Sequence, residues 1–77
     1  MLRFAIYPNF QKKNAFSCAL TVCRKLHELG GMIYMDESYR TEFSECNYIQ
    51  YGIFSSLVHQ VDIVIAIGGD GTMLRCA

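Results

Sequence analysis

The sequence predicts an α/β domain built on a parallel three-stranded core, in the order strand, helix, strand, helix, strand. Three observations carry this. Three short apolar runs, Leu2–Tyr7, Met32–Met35 and Val61–Ile67, are nearly continuous rather than alternating, as in strands covered on both faces. Apolar residues recur at helical spacing between the first two runs and, more briefly, before the third. Glycine, proline and asparagine punctuate the joints.

The first run ends at Pro8-Asn9, a strand passing into a turn. Asn14 is placed to N-cap the helix that follows, in which Ala15, Phe16, Ala19, Leu20, Cys23, Leu26 and Leu29 form one apolar stripe. Gly30-Gly31 stops that helix and leads straight into Met32–Met35. The stretch from Asp36 to Gly52 is polar and mixed and receives no assignment. Ile53, Phe54, Leu57 and Val58 fall at the positions of a short amphipathic helix, and Val61–Ile67 is the strongest strand signal in the chain.

A length of 77 residues limits the chain to one small domain or part of a larger one. Hydrophobic residues make up 52%, which argues against a disordered tail. Seven basic and seven acidic residues cancel, so the electrostatic footprint of a nucleic-acid binder is missing. The charge is unevenly spread, with net +4 over the first 31 residues and net −5 from Asp36 to Asp70, which gives weak support to a basic phosphate-facing end. The four cysteines contain no CxxC pair and no secretory signal precedes them, so free thiols in a reducing cytoplasm are expected. No apolar run approaches the roughly 20 residues of a membrane-spanning helix.

Gly68-Gly69-Asp70-Gly71-Thr72 follows the third strand directly. In an open α/β sheet, ligands bind outside the carboxyl ends of the strands, where this loop falls. Glycines let the backbone approach an anion closely, and Met73–Ala77, mostly good helix formers, is expected to start a helix whose free N–H groups face a phosphate. Asp70 would repel a bare phosphate. It points instead to bridging Mg²⁺ or to a substrate hydroxyl that needs a proton acceptor, a pairing suited to phosphoryl transfer. Asp70-Gly71 is also a hairpin signal, but Met73–Ala77 does not alternate, so the helix start is preferred. Neither the G-x-G-x-x-G fingerprint nor the Walker A pattern fits.

The run Asp62-Ile-Val-Ile-Ala-Ile-Gly-Gly-Asp-Gly-Thr-Met-Leu-Arg-Cys-Ala resembles the signature of NAD kinases: an aspartate, an apolar strand, GGDGT, then a large apolar residue, Leu and often Arg. Diacylglycerol and sphingosine kinases share GGDGT, whereas Met73-Leu74-Arg75 favours NAD kinases. The resemblance implies part of a Rossmann-like parallel sheet, β-α-β-α-β followed by a phosphate-binding loop and helix start. It implies transfer of the γ-phosphoryl of ATP to the 2′-hydroxyl of NAD, giving NADP, with Mg²⁺ or another divalent cation. Asp70 corresponds to the proton acceptor and Gly71 to a nucleotide-contacting backbone position. Gly68, Gly69, Asp70, Gly71 and Thr72 are the expected nucleotide-binding loop, joined by Arg75 about one turn into the helix, where a phosphate or ribose contact and a solvent-exposed Arg weigh equally.

Residues 1–77 would then be the N-terminal part of the nucleotide-binding domain, without the β-rich C-terminal domain, and inactive alone. The complete protein is expected to be a cytoplasmic homo-oligomer binding NAD and ATP and neither nucleic acid nor membrane. The alternatives are a lipid kinase with a GGDGT loop or a non-catalytic nucleotide-binding or association fragment. Cys23 and His27, four residues apart on one helix, lack further ligands for a metal site, and Cys23 fits the core stripe. His59 reads as a surface residue. Asn9, Lys12 and Lys13 follow the first strand onto the same edge as Gly68–Thr72, where a role near phosphates and plain solvation of the helix start weigh equally.

Overall fold

The computed structural model describes residues 2–9 and 14–67 in full and the backbone of residues 68 and 71–76. The elements are β1 (Arg3–Pro8), α1 (Ala15–Glu28), β2 (Met32–Asp36), a 3₁₀ turn (Glu37–Tyr39), β3 (Ile49–Gly52), α2 (Phe54–Leu57), β4 (Ile63–Gly68) and β5 (Gly71–Cys76). They form one five-stranded sheet in the order β3-β2-β1-β4-β5. The first four strands in that order run parallel, and β5 pairs antiparallel with β4. The expected α/β class and parallel sheet are therefore present.

Parallel register sorts the side chains onto two faces. Phe4 and Ile6 align with Ile33 and Met35 on one side and with Ile63 and Ile65 on the other. With Ile49, Ile67, Ala19, Cys23 and Phe43 they make the main core, Ile63 packing against it half-buried. Ala15, Ala19 and Cys23 form the buried stripe of α1, and their small side chains let the helix lie close to the sheet. Phe16 and Leu29, counted in that stripe from the sequence, are instead 40% and 74% exposed. The opposite face carries Ala5 and Tyr7 of β1, which align with Val64 and Ala66 of β4. The Tyr7 ring stands 4.9 Å from that of Phe54, so α2 lies on that second face.

The end of α1 follows from its glycines. Gly30 has φ +88°, a left-handed conformation that other residues resist. The Gly30 N–H donates to the His27 carbonyl (3.0 Å) and the Gly31 N–H to the Leu26 carbonyl (2.9 Å), the two bonds of a Schellman ending. Asn14 does precede α1, but its side chain makes no capping bond. It takes φ 71°, and only its carbonyl serves the helix, accepting from the Cys18 N–H at 3.0 Å.

The unassigned stretch holds structure of its own. β3 adds an edge strand, and Phe43, 1% exposed, drops from the β2–β3 connection into the core beside Phe16, with ring centroids 5.1 Å apart. A larger correction concerns the segment behind the glycine loop. Gly71–Cys76 is a strand, not a helix start, with Gly71 opposite Gly68 and Cys76 opposite Ile63. As a strand these residues pair along the outer edge of β4, which would otherwise present unpaired backbone groups.

Candidate functional site

The strand order defines where a ligand can enter. From β1 the chain winds outward through β2 to β3, and β4 then returns to the other side of β1. The order thus reverses between β1 and β4. In open α/β sheets a ligand crevice lies outside the carboxyl ends of two such strands. Here β1 ends at Pro8 and β4 at Gly68. Asn9 extends the pairing by donating its N–H to the Ile67 carbonyl at 2.9 Å, which keeps the two loop origins together.

Gly68 closes β4, and Gly71, Thr72 and Arg75 lie along β5 opposite Gly68, Ile67 and Val64. Lys12, Lys13, Gly69 and Asp70 lie outside the described residues. The structure thus brings Gly68, Gly71 and Thr72 to the same end of the sheet as Asn9. It carries Arg75 down β5 towards the other end. The phosphate-facing helix terminus expected behind the loop is replaced by β5, so Gly-rich backbone at a strand end is what the edge offers an anion.

The signature aspartate that opens the motif has a structural task. Asp62 accepts from the Arg3 backbone N–H at 2.8 Å, and its own N–H donates to the Arg3 carbonyl at 2.8 Å. It therefore pins the start of β4 to the start of β1 and sets the register that brings Ile67-Gly68 level with Pro8-Asn9. The accompanying contact with the Arg3 guanidinium, at 4.0 Å between half-exposed groups, adds little.

The other half of this edge, which no motif in the sequence marks as a site, is built around Asp36. Asp36, the last residue of β2, accepts from the Ser38 N–H (3.0 Å) and the Phe54 N–H (2.9 Å). It thereby ties the ends of β2 and β3 to the first turn of α2. The Ser38 hydrogen bonds, followed by that of Phe54, hold the Asp36 carboxyl below its ordinary value. The Tyr39 hydroxyl donates to the Pro8 carbonyl at 3.1 Å, lacing the same turn to β1. Burial, then the nearby Tyr7 and Asp36, raise the Tyr39 hydroxyl and keep it a donor. An Asp two residues before a Ser, directly after a buried strand, is the signal that marks such a turn.

Elsewhere, Cys23 is fully buried, and burial followed by the neighbouring Cys46 pushes its thiol up to about 12. His27 stacks on Tyr48 with ring centroids 4.2 Å apart, and His59 is exposed, as read. Cys18, Cys23 and Cys46 are free thiols. Among the described residues no group of three His, Cys, Asp or Glu is placed to hold a metal, and no helix is long and apolar enough to cross a membrane.

A doubly wound parallel sheet with a glycine loop at its switch point is the architecture of a nucleotide-handling α/β domain. The family model for the ATP-NAD kinase N-terminal domain matches residues 4–77, nearly the whole chain. The chain belongs to that family. Neither the curated proteins nor the solved structures contain a match to it.

Proposed function

We propose that the polypeptide carrying this chain phosphorylates the 2′-hydroxyl of NAD with ATP to give NADP, and that residues 1–77 supply the N-terminal part of its nucleotide-binding domain. The observation that carries this reading is the family match, with GGDGT falling at the carboxyl end of β4 where the strand order reverses. A nucleotide laid across the crevice has its phosphates against the backbone at Gly68, Gly71 and Thr72. Glycine at positions 68 and 71 leaves no Cβ atom to hold an anion away.

Asp70 is assigned as the proton acceptor for the attacking hydroxyl. An aspartate with an ordinary pKa of about 3.9 is a weak base, but phosphoryl transfer through a loose transition state asks chiefly for positioning. A divalent ion, when bound, neutralises charge on the transferring phosphoryl. Mg²⁺ is commonly held by one or two carboxylates together with substrate phosphates, and Asp70 can provide one such ligand. Gly69 is assigned to the same nucleotide-binding set, whereas Arg75, four residues down β5 from Gly71, would meet the nucleotide only away from its phosphates. The complete protein is further assigned as a cytoplasmic homo-oligomer.

NADP formation from NAD and ATP by the complete polypeptide tests the reading. Asp70→Asn should abolish it while leaving the circular dichroism spectrum unchanged. Normal turnover by that variant removes Asp70 from the chemistry, and phosphorylation of diacylglycerol in place of NAD removes the family's acceptor.

A further inference from the structure

One cluster at the carboxyl edge remains without a task in that scheme. Asp36 and Tyr7 each stand one residue beyond the Ile6↔Met35 pair, on neighbouring strands and the same face. Tyr7 is 47% exposed, although it contacts Phe54 at 4.9 Å and Tyr39 at 6.5 Å between ring centroids. The Asp36 carboxylate is fixed by backbone donors from both sides, the Ser38 and Phe54 N–H groups. Together with the Ser38 hydroxyl these use three of its roughly four acceptor positions. The site thus presents an oriented, ionised acceptor, an exposed serine whose oxygen can still accept, and an open aromatic surface.

We propose that Asp36 and Ser38 bind the vicinal diol of a ribose, one hydroxyl donating to the carboxylate and the other bonding the Ser38 hydroxyl, with the attached nucleoside lying against Tyr7. In doubly wound sheets an acid at the end of the second strand is placed for such hydroxyls, because the switch-point crevice continues over that strand. Here the placement is reached without a G-x-G-x-x-G loop after β1. The proposal rests on the nucleotide-binding reading and adds to it the side chains that seat the sugar. ATP and NAD both carry the required diol.

Calorimetric titration of the chain with ATP and Mg²⁺, and separately with NAD, tests it, each ligand being compared with its analogue lacking both adenosine-ribose hydroxyls. Hydrogen bonds to a charged acceptor predict about tenfold weaker binding of the analogue for the nucleotide that uses the subsite. Asp36→Asn should shrink that ratio to about twofold or less, with Tyr7→Phe retaining it. Equal binding of parent and analogue in both pairs overturns the subsite and leaves nucleotide binding standing. Absence of binding by any of the four overturns both. Should Asp36→Asn fail to fold, the comparison on the unsubstituted chain still decides.

Discussion

Replacing Phe43 with alanine should remove a large share of the chain's stability. The ring is 1% exposed and belongs to the main core, packed with Phe16 of α1. The Phe43 carbonyl also accepts from the Cys46 N–H (2.9 Å) and the Tyr51 hydroxyl (3.3 Å), so the backbone around the ring is held in place and is poorly able to collapse into the void. Truncating a buried Phe under such conditions costs about 3–5 kcal/mol. A chain of 77 residues has a total stability of roughly 4–12 kcal/mol. With a urea slope of about 1 kcal/mol/M, the midpoint should fall by about 3 M or the variant should be unfolded from the start. Urea titration followed by far-UV circular dichroism reads this directly. A shift below about 0.5 M would refute the claim that the β2–β3 connection completes the core.

Four further outcomes are expected. Gly31→Ala should lower stability by about 1–3 kcal/mol in the same titration, because a Cβ there would meet the Phe4 ring at 2.7 Å and force it out of its place; an unchanged midpoint contradicts the packing described. The Asp36 carboxyl is held below its ordinary value of 3.8, so its contribution is present above that pH and is lost as the pH falls through the lower folded value. Urea midpoints measured from pH 5 downward should therefore fall less steeply for Asp36→Asn than for the unsubstituted chain. The Cys23 thiol keeps its proton up to about 12 when folded and gives it up near its ordinary 9.0 when unfolded, so stability should decline as pH rises above about 9. Iodoacetamide with peptide mapping should modify exposed Cys18 in the folded chain and Cys23 only after unfolding, and early modification of Cys23 would contradict its burial.

Much of the scaffold is legible in the sequence because burial on both faces writes itself as continuous apolar runs, as at Phe4–Ile6 and Ile63–Ile67. Gly30-Gly31 is legible because glycine takes the left-handed turn found at Gly30 without steric cost. β3 is not, since Ile49-Gln-Tyr-Gly is an edge strand with one fully buried residue, and a strand covered on one side only leaves a weak pattern. Phe43 gives no periodic signal either, being a single anchor in an irregular connection. Met73–Ala77 reads as a helix start while Gly71–Cys76 is a strand, for a physical reason: helix formers describe local preference, whereas the open edge of β4 supplies a tertiary partner that local preference does not register. For the site, the glycine loop announces itself through composition, and the strand order then shows why its position matters. Asp36, Tyr39 and Tyr7 reveal their association only once β1, β2 and α2 bring them to one edge.

The claim that nucleotide phosphates bind at the reversal between β1 and β4 is tested most directly by titrating the ¹⁵N-labelled chain with ATP and Mg²⁺ and following the backbone amides. The amides of Asn9, Gly68, Gly71 and Thr72 should shift together in a saturable way, while those of Leu2, Gly30 and Gly31 at the opposite end of the sheet stay in place. Saturable shifts confined to the Leu2 and Gly30-Gly31 end, or none anywhere, would contradict it.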